Sequence, residues 1–241
     1  MTDIRLRSWA MTHPGAKRKH NEDAYVARPD TGVWAVADGA GGHHAGEVAS
    51  GMIAESLEAI PPTLSASELL AQVRMRLEET HAALRELALR RGPDVTVAST
   101  VVVLLARNEH FACLWAGDSR AYLLRNGELR QISKDHSLVQ ELVDAGAISP
   151  EEAESHPRAN VITRAVGADL EAFVLDKVSG RLLPGDRFLL CSDGLCKTLP
   201  ERQIADLLGA NDGVPPPQTL IAAALALNAT DNVTAVMVQA D

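Results

Sequence analysis

The stretch VASTVVVLLARNEHFACLWAGDSRAYLLRNGELRQI, from Val97 to Ile132, decides the fold. It holds four runs separated by short polar breaks: Val97–Ala106, His110–Ala116, Arg120–Leu124 and Glu128–Ile132. Short runs rich in β-branched and aromatic residues, bounded by Asn, Asp and Gly, read as strands. Asn126-Gly127 accepts positive φ at both central positions of a tight hairpin turn. The stretch therefore reads as an antiparallel meander.

Working outward, strands are expected at Ile4–Met11, Ala24–Ala27 and Val33–Ala37, the last two joined by the turn Pro29-Asp30-Thr31-Gly32. Two helices come next. Glu47 to Ile60 has helical spacing through Val48, Met52, Ile53 and Leu57 and stops at Pro61-Pro62. Ser67 to Arg91 places Leu70, Val73, Leu77, Leu84 and Leu87 on one stripe. Beyond the meander, Ser137 to Ala145 is a short helix stopped by Gly146. Ser149-Pro150-Glu151-Glu152 combines an N-cap, a proline in the first turn and a capping-box glutamate. This polar region, about 143–162, interrupts the strand pattern and reads as an insertion over the main body. Strands resume at Ala172–Val178 and Arg187–Cys191, followed by helices at Pro200–Leu208 and Gln218–Leu227 and a last strand at Val233–Gln239. The order predicts an α+β fold: one domain over 1–241, with an antiparallel-rich sheet core covered by helices.

At 241 residues, 46% apolar and 23% charged, the chain has the composition of a soluble globular protein with ample core. Aromatics are only 3%, and 23 basic against 32 acidic residues leave a net charge of −9. Few stacking platforms and a negative surface oppose binding to nucleic acid or anionic membrane. An anionic substrate would need cations supplied locally, as metal ions or a placed arginine. Cys113, Cys191 and Cys196 are an odd set without framework spacing, as expected for reduced thiols of a cytoplasmic protein. Residues Met1 to Arg7 carry no apolar signal core, and the longest apolar stretch, Val101–Ala106, is too short to span a membrane. A cytoplasmic monomer is expected.

Acidic residues mark the edges of the strands. Asp38-Gly39, Asp118-Ser119 and Asp193-Gly194 follow apolar runs, and Asp231-Asn232 precedes one. Carboxylates placed where strands leave a core can converge while lying far apart in sequence. Converging carboxylates repel, so they need protons or cations, and hard divalent cations prefer oxygen ligands. The pattern points to a metal site and to hydrolysis.

Arg18-x-x-Asn21-Glu22-Asp23, Asp38-Gly39-x-Gly41-Gly42-His43, Gly117-Asp118-Ser119-Arg120, Asp135-His136-Ser137, Ser192-Asp193-Gly194 and Asp231-Asn232 occur in this order. In these motifs the chain resembles bacterial metal-dependent protein serine/threonine phosphatases of the protein phosphatase 2C type. The resemblance runs from about residue 10 to the C-terminus. It implies a four-layer α-β-β-α sandwich, a central antiparallel β-sandwich flanked by helix pairs, with 143–162 as a flap beside the cleft. It implies Mn²⁺ or Mg²⁺ as cofactor, two ions and in some relatives a third. Asp38 would bridge the ions, with Asp193 and Asp231 completing one shell. The Gly39 carbonyl, with Glu22 or Asp23, would serve the other, and Asp118 would anchor the third with Asp193. Arg18 would clamp the substrate phosphate, since a guanidinium fork matches its oxygens. Phosphoprotein substrates and an opposing Ser/Thr kinase pathway are the implied partners. Some relatives carry His directly after the Asp-Gly pair. Ala40 stands there here, so His43 or a water is the expected proton donor.

Competing readings are weaker. His43-His44 lacks a second His or Cys pair at zinc spacing. His136 opens a helix and reads as a structural hydrogen-bonding residue. Cys196 and Arg202 have the spacing of cysteine-dependent phosphatases, but the residues between them lack Gly, and Pro200 removes a backbone donor from any phosphate loop. A catalytically inactive binding module would be expected to lack metal-ligand aspartates, and none is missing.

Overall fold

The computed structural model describes residues 4–41, 44–92, 94–168, 173–210 and 213–241. Among them, strands β1 (Leu6–His13), β2 (Asp23–Arg28), β3 (Val33–Ala40), β4 (Ala98–Ser99), β5 (Val101–Arg107), β6 (His110–Ala116), β7 (Arg120–Arg125), β8 (Glu128–Gln131), β9 (Asp176–Arg181), β10 (Arg187–Cys191) and β11 (Val233–Ala240) form two antiparallel sheets. One runs β1-β11-β10-β7-β8; the other runs β2-β3-β5-β6-β9, with β4 on the end of β3. The helices are α1 (Ala45–Glu58), α2 (Ala66–Arg91), α3 (Leu138–Asp144), α4 (Pro150–Glu154), α5 (Asp193–Cys196), α6 (Glu201–Gly209) and α7 (Pro216–Ala226).

Strand alternation builds the layers. On β3, Trp34 and Val36 face the sandwich interior with Val102, Leu104, Phe188, Leu190, Val236 and Val238. Val33, Ala35 and Ala37 face the other way, onto α1 and α2. On the second sheet, Leu189, Cys191, Ala235 and Met237 turn outward to α6 and α7. The result is the expected α-β-β-α sandwich.

Several boundaries shift for local reasons. α1 buries Ala45, Ala49, Ile53 and Leu57, an i,i+4 row, rather than the face of Val48 and Met52. Small residues at its start let its first turn lie close to β3. α2 buries Leu69, with Leu70 at the margin, and Ser65 caps it with Glu68 in a capping box. The expected strand at 97–106 is broken at Thr100, opposite Asp38. There the Asp38 N–H donates to the Thr100 hydroxyl, 3.2 Å, instead of to a ladder carbonyl. β9 begins at Asp176; the expected start at Ala172 lies outside the described residues. The short helix α5, directly after β10, was not anticipated. The segment after α3 returns to it through a bridge between Ser137 and Ile162. Among the described residues no helix is long and apolar enough to cross a membrane.

Candidate metal centre

One end of the sandwich gathers the acidic residues. Asp23 opens β2 and stands opposite Asp38 of β3. Asp23 is buried, 8% exposed, and its Oδ2 accepts hydroxyls from the opposite sheet: Ser192 at 2.8 Å and Thr234 at 2.6 Å. Ser192 Oγ in turn accepts the Thr234 N–H, 3.0 Å. Thr234 has spent its proton on Asp23, so Thr12 donates to it, 2.7 Å, and Asn21 donates to Thr12, 2.7 Å. This chain ties both sheets to one carboxylate. Asp23 Oδ1 is buried with no protein partner. Burial pushes the Asp23 carboxyl up to about 7 despite those two hydroxyls, with the charges of Asp193 and Asp231 adding to the rise.

Among the described residues, Asp38 is held through its backbone. Its carbonyl accepts from Thr100 N–H, 2.9 Å, and Ser99 Oγ, 3.0 Å. Its carboxyl lies well above the ordinary carboxylate range, through burial first and then the charges of Asp23, Asp193, Asp118 and Asp231. Asp118 is raised by burial and by Asp193. The carboxylates drawn from both sheets thus feel one another, as their strand-edge positions predicted.

Glycines let the backbones close in. A Cβ on Gly39 would lie 2.1 Å from Gly46 O and 2.7 Å from Glu22 O. A Cβ on Gly46 would meet Gly39 O at 2.7 Å and the Glu22 carboxyl carbon at 2.9 Å. Glu22 and Gly39 therefore meet against the first turn of α1. Asn232 clips the preceding loop: its amide NH₂ donates to the carbonyls of Pro14 and His20, both 2.9 Å, and its Oδ1 accepts the Glu22 N–H, 2.8 Å.

Two cations edge the cluster. Arg18 reaches Asp231 Oδ2 at 2.9 Å, with both side chains well exposed. Lys197 Nζ lies 2.9 Å from Asp118 Oδ2, 2.7 Å from Asp193 Oδ2 and 3.1 Å from Asn160 Oδ1. Burial opposes the lysine charge, but Asp193 and Asp118 outweigh it and hold the ammonium protonated. Asp118, expected to anchor a third ion, thus has an ammonium as partner here. Its second oxygen, Oδ1, is buried without a protein partner. A cavity of about 890 Å³ adjoins this corner, walled by Asp118, Lys197, Asn160, His156, Val143 and Pro200.

His136 has the structural role expected of it. Its Nδ1 accepts the Gly117 N–H, 3.1 Å, its N–H donates to Gly117 O, 2.9 Å, and its Nε2 faces Asp176 at 3.2 Å. Burial keeps the imidazole neutral by lowering its pKa. The loop carrying Asp118 is thereby fixed. Arg120 pairs with Asp135 beneath it, 2.8 Å. His43 lies outside the described residues; His44 packs edge-on against His20, ring centroids 4.6 Å apart. Among the described residues, no three His, Cys, Asp or Glu side chains are already drawn into a closed ligand set. Arg18 and Lys197 draw three of the aspartates to themselves instead.

The donor set is entirely oxygen and includes a buried, unpartnered Asp23 Oδ1, which fits hard divalent ions such as Mn²⁺ and Mg²⁺. Sequence reasoning missed Thr234, Thr100, Lys197 and Asn160. Ser99-Thr100 was detectable as a polar pair inside the apolar run 97–106. Lys197 and Asn160 carried no signal, since their meeting depends on where the segment after α4 lies.

A family model described as protein phosphatase 2C matches residues 15–211. The serine/threonine protein phosphatase PstP of Mycobacterium tuberculosis is 37% identical over 234 residues, 96% of this chain; the chain spans only 44% of that protein's length. The serine/threonine phosphatase stp of Listeria monocytogenes is 33% identical over 241 residues, covering 95% of this chain and 94% of its own. Among solved structures, PppA, described as a key regulatory component of T6SS in Pseudomonas aeruginosa, superposes with a TM-score of 0.91 at 43% identity, covering 99% of both chains. The catalytic domain of PstP in complex with two manganese ions superposes at 0.87 with 34% identity, again over 99% of both. With a family model over most of its length and these relatives along nearly all of it, the chain belongs to the protein phosphatase 2C family.

Proposed function

We propose that this chain is a metal-dependent phosphoprotein phosphatase that hydrolyses phosphoserine and phosphothreonine. The observation that carries the reading is the convergence of Asp23, Asp38, Asp193 and Asp231 at one end of the two sheets, where burial first, and then the charges of neighbouring aspartates, raise the carboxyls of Asp23 and Asp38. Asp38, Asp193 and Asp231 would hold one ion, and Asp38, the Gly39 carbonyl and Glu22 or Asp23 the other. When bound, Mn²⁺ or Mg²⁺ lowers the pKa of water and neutralises phosphoryl oxygens.

The chain's own residues do the rest. Asp23 holds the two sheets in register through Ser192 and Thr234. Arg18, exposed at the edge of the cluster, is free to trade Asp231 for the phosphate of a substrate. His43 is the candidate donor of a proton to the leaving alkoxide, and the small Ala40 leaves that approach open. The segment 143–162 serves as a flap over the single domain of 1–241, and the cavity beneath it would take substrate residues flanking the phosphate. The protein acts as a cytoplasmic monomer against a Ser/Thr kinase in bacterial signalling.

The test is dephosphorylation of phosphoserine and phosphothreonine peptides with Mn²⁺ or Mg²⁺, beside nucleotides and sugar phosphates. Activity should vanish with EDTA and in Asp38→Ala. Metal-independent hydrolysis that survives Asp38→Ala would overturn the reading; preference for small phosphoesters would replace the substrate class.

A further inference from the structure

We propose that the Lys197 ammonium is the third cation of this site, standing between Asp118 and Asp193 where a third divalent ion would have to sit, so that the chain binds two divalent ions and no more. The inference rests on the two-ion reading above.

An ammonium has three donors, and Lys197 has three oxygen partners: Asp118 at 2.9 Å, Asp193 at 2.7 Å and Asn160 at 3.1 Å. Its hydrogen-bonding capacity is fully used. The partners come from three separate places: the β6–β7 loop, the first residue of α5 and the segment after α4. Lys197 is placed for this by its backbone. It caps the C-terminus of α5, its N–H donating to Asp193 O at 2.8 Å, so its side chain rises on the same face as Asp193, four residues earlier.

A third divalent ion between the same carboxylates would lie within a few ångströms of this fixed positive charge. To bind, it must break two charge-assisted hydrogen bonds and displace the lysine. The ammonium carries one charge rather than two, so Asp193 retains negative charge for the two-ion centre. The same group reaches Asn160, so it also latches the segment after α4 against the acidic cluster. Removing the ammonium frees Asp118 Oδ2 beside Oδ1, which already lacks a protein partner. That vacated pair is where an added divalent ion would gain a hold.

The test counts Mn²⁺ per chain by equilibrium dialysis and atomic absorption on the full chain, first stripped with chelator. Wild type should saturate at two equivalents and Lys197→Met at three, the third weaker. Asp118→Asn should leave the wild-type count at two, a readout that stands even if Lys197→Met does not fold. Hydrogen exchange at 156–162 should quicken in Lys197→Met. A wild-type count of three, falling to two in Asp118→Asn, overturns the inference alone. So does a count of two in folded Lys197→Met. A wild-type count of zero overturns both this inference and the proposed function.

Discussion

Asp23 and Asp38 face each other across the β2–β3 ladder, but among the described residues only Asp23 is tied down by side-chain hydrogen bonds. Asp38 meets the full repulsion of its neighbours, and its carboxyl is raised well above the ordinary range by burial and by four other aspartates. A raised carboxyl costs the folded state nothing below the unfolded pKa, near 4. The cost grows as pH rises, because the unfolded chain gives up its proton first. In EDTA, Asp38→Asn should therefore melt above wild type, by a margin that widens from pH 5 to pH 8. In Mn²⁺ the order should reverse, since ligand at about 100 times its Kd adds about 2.7 kcal/mol to the protein that binds it. Thermal melts at both pH values, with and without metal, check both signs; a wild type more stable than Asp38→Asn in EDTA at pH 8 would contradict them.

Arg18 sits on the rim, paired with Asp231 across an exposed contact. Exposed pairs contribute little to stability, so Arg18→Ala should change unfolding free energy by no more than about 0.5 kcal/mol. Its loss should instead lower kcat/KM on a phosphopeptide roughly 10- to 100-fold, about 1.4–2.7 kcal/mol of transition-state binding. Arg18→Lys should recover only part, because a point charge replaces a fork. Steady-state kinetics beside urea unfolding separates the two effects.

Asn232 satisfies three backbone groups at once, in Pro14, His20 and Glu22. Asn232→Ala leaves them without that partner, and each orphaned group costs about 1–3 kcal/mol where water cannot enter. A loss of roughly 2–4 kcal/mol is expected on these grounds. It should come with weaker Mn²⁺ binding, because Glu22 is positioned through the same clip. Gly194→Ala is harsher: its Cβ would lie 2.0 Å from Asn232 O, so insoluble or unfolded protein is the expected outcome. Denaturant melts and a metal titration of Asn232→Ala provide the check.

Cys196 lies on α5 with its thiol directed at the Ser192 and Asp193 carbonyls, 3.8 Å from each. Those are acceptors, not the ring of N–H donors a phosphocysteine would need. Cys196→Ser should keep metal-dependent turnover within about threefold of wild type, since the thiol is only a weak donor and the hydroxyl that replaces it can donate to the same carbonyls. Abolished turnover in a folded Cys196→Ser protein would return the cysteine chemistry to consideration.

Much of the fold was legible along the chain because its signals are local. The apolar runs of β3, β5 and β6, Asn126-Gly127 at the β7–β8 turn, and the Ser149–Glu152 capping box each depend on neighbours within a few residues. The face of α1 was read correctly at Ile53 and Leu57 but not at its start, because Ala45, Gly46 and Ala49 look neutral in sequence, yet their smallness lets the helix touch β3. The split between β4 and β5 had only the polar pair Ser99-Thr100 as its signal and was missed, because it depends on a Thr100 side chain meeting Asp38 across the ladder.

By itself, the sequence determined which residues could carry charge into the site. Every aspartate of the cluster sits beside an apolar run, and a chain that buries those runs must bring their ends to the sandwich edge. The tertiary structure decided which charges meet. Asp23 draws Ser192 and Thr234 from the other sheet, and Lys197 draws Asp118, Asp193 and Asn160 together. A hydrogen bond or ion pair forms over a few ångströms of space, while the residues that make it can stand two hundred positions apart along the chain, as Asp23 and Thr234 do at a separation of 211.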